Sequence, residues 1–182
     1  MDAKKSREIS ALADVVRQSL ELAVPVDVFE AVARLGGAIM ETDSVPAGPE
    51  ATIRRTGERF EITIRHHPLA TRKRFTVAHE LGHLFLHMGY LVNPDAWGHS
   101  SEYRDSVYHR FGYNVEEAEA NLFAATFLMP EEEFRSVVQE LGQRGKIQVR
   151  DLAQRFRTSA AAALKRGEEL GLFNVNSDAA LR

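Results

Sequence analysis

Two histidines four residues apart constrain this chain more than anything else in it. The run His79-Glu80-Leu81-Gly82-His83 lies inside a stretch, Thr71 to Met88, whose apolar residues Phe75, Ala78, Leu81, Leu84 and Phe85 recur at helical spacing. Gly89 follows as a terminator. On an α-helix, residues i and i+4 are separated by about 6 Å of rise and about 40° of rotation. Both imidazoles then project from one face and can grip one zinc ion, with the Glu80 carboxylate beside them to take a proton from an activated water. With seven His among 182 residues, the chance expectation for this pattern is far below one occurrence. The fold must therefore bring a further ligand to this helix.

Composition narrows what that ligand is. The chain has no cysteine, which removes thiolate metal sites, iron-sulfur clusters, disulfide frameworks and cysteine nucleophiles together. A catalytic zinc takes three protein ligands and keeps one position open, so the third must be His, Asp or Glu from another element. The segment Asn114 to Asn121 offers Glu116, Glu117 and Glu119 on a helical pattern. Glu117 and Asn121 are one turn apart and share a face, so a ligand at Glu117 places an amide at Asn121 within reach of a ligating histidine. Glu119 points about 160° away from Glu117. The spacing Asn114-x-x-Glu117 also fits a capping box, and spacing alone leaves ligand and cap both open.

The remaining pattern predicts an α+β fold. Helical spacing covers Ser6 to Leu20, and a second helix starts at the N-cap residue Asp27 and ends at Gly36-Gly37. The period then changes to two over Ala38–Glu41, Ala51–Arg55 and Arg59–Arg65, the last two joined at Thr56-Gly57-Glu58, which predicts a small antiparallel sheet. Tyr90 to Tyr113 reads as a long loop, and long loops in compact domains tend to be functional or disordered. It holds Tyr90, Tyr103, Tyr108, Tyr113, Trp97, His99 and His109. Tyr103, Tyr108, His109 and Tyr113 are candidates for stabilising an oxyanion or contacting a substrate; the plainer reading is that these aromatics anchor the loop. His87 lies about 12 Å along the helix from His79, too far to share its metal, so it is expected to brace a ligand or to pack. Further helices are expected from Asn114 to Met129, Glu131 to Leu141, Val149 to Phe156 and Ser159 to Leu170. With 44% apolar and 27% charged residues and no uncharged run near the ~20 residues of a membrane span, a cytoplasmic protein is expected.

The net charge of -3 hides two blocks. Residues 114–143 carry seven Glu against Arg135, and residues 144–166 carry seven Lys or Arg against Asp151. The basic block spans two helices joined by a tight turn, which reads either as a helix-turn-helix on DNA or as a helical cap whose Leu152, Phe156, Leu164 and Leu170 complete the core. We expect the cap, with Arg150, Arg155, Arg157, Lys165 and Arg166 on its outer face and direct DNA binding unfavoured. The expected division is a metallopeptidase domain over 1–143 that includes the N-terminal helices, a helical segment packed on it over 144–173, and a disordered tail over 174–182.

The run Arg74-Phe75-Thr76-Val77-Ala78-His79-Glu80-Leu81-Gly82-His83-Leu84, followed by Glu117-Ala118-Glu119-Ala120-Asn121 and, after five residues, Phe127-Leu128-Met129-Pro130, resembles the ImmA/IrrE family of zinc metallopeptidases. The similarity extends over about Pro25 to Leu172. It implies a zincin-like fold with His79, His83 and Glu117 as zinc ligands, Glu119 as the fallback ligand and Glu80 as general base and acid; manganese suits the same donors. The resemblance further implies site-specific cleavage of a helix-turn-helix repressor in a stress-response or mobile-element switch. With no separate DNA-binding module before Pro25, that repressor is expected in trans. The rival expectation is a metal-stabilised antirepressor or DNA-binding regulator that sequesters its target uncut.

Overall fold

The computed structural model describes residues 1–43, 50–104, 115–143 and 147–173. The described residues form α1 (Ala3–Ser19), α2 (Val28–Arg34), β1 (Ala38–Thr42), β2 (Ala51–Thr56), β3 (Arg59–Arg65), α3 (Ala70–Leu86), α4 (Pro94–His99), β4 (Glu102–Arg104), α5 (Val115–Leu128), α6 (Glu131–Gln143), α7 (Val149–Phe156) and α8 (Ala160–Glu169). This is the α+β class that the change of period predicts. The Asp27 carboxylate caps α2 by accepting from the Phe29 and Glu30 amides. Gly36 closes it at φ 79°, while the Gly37 amide reaches back to Val32 O.

The strands form one sheet in the order β1-β3-β2-β4. Pairing is antiparallel between β2 and β3, with Ile53 opposite Ile62, and between β2 and β4, with Ile53 opposite Tyr103. The expected antiparallel sheet needs one correction, because β1 runs parallel to β3, Ile39 opposite Ile62. Strand direction does alternate from β1 through β2 to β3, as a hairpin reading requires. However, β3 inserts between its two predecessors, because its buried Phe60, Ile62 and Ile64 make it the strand best suited to a central place.

Helix α3 lies between the sheet and α5. Arg74 and the whole run Val77–Phe85 are buried, so the His79–His83 motif has protein on every side of its helix. Phe123 stacks on Phe85 at 5.8 Å between ring centroids and on Phe127 at the same distance, welding α5 to α3. Helix α1 packs along the other side of α5.

The stretch expected as a long loop contains α4 and β4. Asn93 caps α4 by accepting from the Ala96 amide, and Pro94 occupies its first turn. Arg55 of β2 holds α4 in place: its guanidinium lies 5.1 Å over the Trp97 ring and donates to Trp97 O at 2.8 Å. Tyr90 donates to Leu35 O at 2.7 Å and meets Trp97 edge-on. These two aromatics anchor the segment.

Leu152, Phe156 and Ala163 of α7 and α8 are buried in the same core as α3 and α5. Two arginines lock these helices on. Arg74 Nε donates to Arg157 O at the end of α7 (3.1 Å), and Arg166 Nε donates to Met129 O at the end of α5 (3.0 Å). A cation is favoured there by the partial negative charge of a helix C-terminus. Arg166 is only 4% exposed, which corrects its expected place on the outer face; Arg150, Arg155, Arg157 and Lys165 are exposed.

Candidate metal centre

Close approach of two helices makes the site. A Cβ added at Gly82 would fall 2.9 Å from Ala120 Cα and 3.0 Å from Ala120 O, so the absent side chain lets α5 rest directly against α3 beside both histidines. This contact brings Glu117, three residues before Ala120, over the imidazoles. Glu117 Oε2 is 3.2 Å from His79 Nε2, Glu117 Oε1 is 3.4 Å from His83 Nε2, and the two Nε2 atoms are 3.0 Å apart.

These separations suit a metal. A tetrahedral zinc with bonds of about 2.0–2.1 Å sets its ligand atoms about 3.3–3.4 Å apart, close to all three distances. The donor set is two imidazole nitrogens and a carboxylate oxygen, and its ligand atoms lie within 4.8 Å of one another. It fits zinc and equally manganese. Burial drives the His83 pKa down to about 4, against the opposing pull of Glu117, so the imidazole is neutral and its lone pair available near pH 7. Without a metal, the adjoining His79 and His83 imidazoles hold the Glu117 carboxyl far below its ordinary value. The Glu80 side chain, adjacent to His79 on the same helix, is fully buried.

The far nitrogens of both histidines have partners of their own. His79 Nδ1–H donates to Asn121 Oδ1 at 3.2 Å, the tautomer in which a metal, when bound, would take the Nε2 lone pair. His83 Nδ1 is 2.8 Å from His87 Nδ1, and His87 Nε2 is 3.3 Å from Glu119 Oε2. Reading the protons outward from a ligating His83 makes His87 the acceptor from His83 and the donor to Glu119. Lys5 of α1 closes this chain, its Nζ 3.9 Å from Glu119 Oε1. Glu119, the fallback ligand, is thus directed to His87 and Lys5.

Tyr103 sits in β4, while Tyr108, His109 and Tyr113 lie outside the described residues. His99 turns back on its own helix, 2.7 Å from Asp95 O. The sequence reading missed Gly82 as the contact that admits α5, although a glycine inside a helix facing a run of alanines (118, 120, 124) is a signal for close packing. It also missed Glu119 as the partner of His87 and Lys5 as the partner of Glu119, for which no local signal exists.

The family model Peptidase_M78, described as the IrrE N-terminal-like domain, matches residues 34–168. No curated protein sequence matches the chain. Among solved structures, a Mycobacterium tuberculosis transcriptional regulator is similar, with a TM-score of 0.58 and 16% identity over 88% of this chain and 46% of that one. At this identity the likeness is one of fold, and the chain spans about half the length of that structure. Because the family model covers most of the chain, including both halves of the His79, His83 and Glu117 cluster, the chain belongs to the Peptidase_M78 family, that of the IrrE N-terminal-like domain.

Proposed function

We propose that this chain is a zinc-dependent metallopeptidase in which His79, His83 and Glu117 hold the metal and Glu80 moves the proton. The observation that carries the reading is the convergence of two imidazoles from α3 and one carboxylate from α5 at metal-ligand spacing. Zinc, or manganese in its place, supplies when bound a Lewis acid that polarises a carbonyl and lowers the pKa of water. The Glu80 carboxylate takes the proton from the attacking water and delivers it to the departing amine nitrogen. Asn121 holds the His79 ring by accepting from Nδ1–H, and α5 carries both Asn121 and Glu117 as one rigid unit. The unit that does this work spans 1–143, with 144–173 as a helical cap.

The substrate we infer is a helix-turn-helix repressor, cleaved at one site. Support comes from the resemblance to the ImmA/IrrE metallopeptidases and from the fold neighbour described as a transcriptional regulator. Burial of Leu152, Phe156 and Arg166 against the peptidase core favours the cap over a DNA-reading module for α7 and α8. The test is incubation of the purified protein with the regulator encoded beside it, with and without a chelator. Two fragments that disappear with the chelator support cleavage; an intact regulator bound in a stable complex supports the sequestering alternative.

A further inference from the structure

A groove with a cavity volume of about 1270 Å³ runs beside the metal centre, with Glu117 and Asn121 in its lining. Its floor is the α5 face carrying Glu117, Asn121, Leu122 and Ala125 and ending at Met129; α1 and α8 form its walls. The volume exceeds the ~300–1,000 Å³ typical of small-molecule pockets. Glu117 and Asn121 line the groove and belong to the centre, so a chain laid in the groove reaches the metal. From Glu117 to Met129 the floor is about 18 Å long at ~1.5 Å per residue, the span of about five extended residues at ~3.4 Å each. An extended occupant is required, because the carbonyls of a helix are bonded internally and cannot be presented for attack.

The far end of the groove carries the carboxylate of Asp14. Helix α1 runs alongside α5 and α6 in the same direction, with Lys5 beside Glu119, Ser10 beside Thr126 and Arg17 beside Glu133. Asp14, one turn beyond Ser10, therefore stands at the Met129 end. The other groove acids are engaged: Glu117 with the histidines, Glu131 with Arg135 at 2.8 Å, and Glu169 with Arg166 at 3.8 Å. Arg17 and Arg166, whose charges act on Asp14, are bonded elsewhere, Arg17 to Glu133 at 2.9 Å and Arg166 to Met129 O at 3.0 Å, while Arg7 and Lys165 also line the groove. Asp14 is half-buried and, among the described residues, makes no hydrogen bond or ion pair; burial raises its carboxyl pKa.

We propose that this groove is the binding channel for the substrate polypeptide and that Asp14 selects a lysine or arginine about five residues from the scissile bond, over an apolar stretch seated on Leu122 and Ala125. The inference rests on the peptidase reading and names the substrate class that reading leaves open: an extended, apolar segment flanked by a basic residue.

Peptides of alanine and leucine carrying a metal-binding hydroxamate at either end, with one lysine moved along positions two to seven, test it without turnover. Their affinities for the zinc-loaded protein are read by competition. In one of the two series, lysine near the fifth position should tighten binding about fivefold to tenfold, as one half-buried ion pair allows. Asp14→Asn should erase that gain, and Asp14→Lys should transfer it to a glutamate at the same position. Affinities that do not depend on lysine position, or a preference unchanged in Asp14→Asn and Asp14→Lys, overturn the assignment while leaving the metal centre standing. Hydroxamates that bind zinc-free and zinc-loaded protein alike contradict the metal reading and this inference with it.

Discussion

Glu80, His79 and Glu117 do different work, and substitutions separate them. Glu80→Gln should retain metal and lose turnover by roughly 10²–10⁴-fold, because the proton acceptor alone is removed; His79→Ala and His83→Ala should lose tight zinc binding, read by elemental analysis after dialysis. Glu117→Ala should lower zinc occupancy far more than Glu119→Ala, since Glu117 faces both Nε2 atoms while Glu119 meets His87. His87→Leu strips His83 of its Nδ1 acceptor and should weaken zinc by about 10–100-fold in chelator competition; unchanged affinity would show that the His83–His87 contact is only packing. The same burial sets a pH dependence for the metal-free protein. His83 binds a proton near 6.5 when unfolded and only near 4 when folded, and Glu117 is shifted down as well. The unfolded state therefore takes up more protons in this range, and metal-free stability should fall as pH drops from about 6.5 towards 4. A melting temperature flat between pH 7 and 4.5 would contradict a buried neutral His83.

At the scale of elements, the α3–α5 contact is the sensitive joint. Gly82→Ala drives a methyl group to within 2.9 Å of Ala120 Cα and should cost about 1–3 kcal/mol in chemical denaturation while also weakening zinc, because Glu117 moves with α5. A Gly82→Ala protein with wild-type stability and wild-type metal affinity would mean that the two helices have slack. How far the elements were legible follows from the range of the forces that make them. Helices α3, α5 and α7 carry their period locally, and the predicted span of α7, Val149–Phe156, is the observed one. The shared face of Glu117 and Asn121 was readable for the same reason. The place of β3 between β1 and β2 was not, because the pairing of β1 with β3 joins strands that are not neighbours in the chain. Asn93-Pro94 did signal α4, but a six-residue helix is too short for periodicity to outweigh the surrounding turn residues. The burial of Arg166 was hidden because its partner, Met129 O, belongs to a different helix.

For the whole molecule, the continuous core joining α3, α5, α6 and α7 implies that residues 147–173 fold with the rest. Phe156→Ala, which leaves a hole beside Phe134 (ring centroids 5.3 Å apart), should destabilise by about 3–5 kcal/mol in a single transition; a separate low-temperature transition would mark the cap as an independent unit. No helix among the described residues is long and apolar enough to cross a membrane. Arg155 and Arg157 are exposed, Arg155 within 3.5 Å of Glu140: Arg155→Glu with Arg157→Glu should slow cleavage of an acidic partner at low salt, and added salt should shrink the difference. The central claim is hydrolysis at the His79, His83 and Glu117 centre by a proton moved through Glu80. Mass spectrometry of the neighbouring regulator after incubation in ¹⁸O-labelled water with zinc-loaded protein measures it most directly. The account predicts two fragments, one bearing a single ¹⁸O at a new carboxyl terminus, with wild type but not with Glu80→Gln or in the presence of a chelator. An intact regulator, or the same fragments from wild type and Glu80→Gln alike, would contradict it.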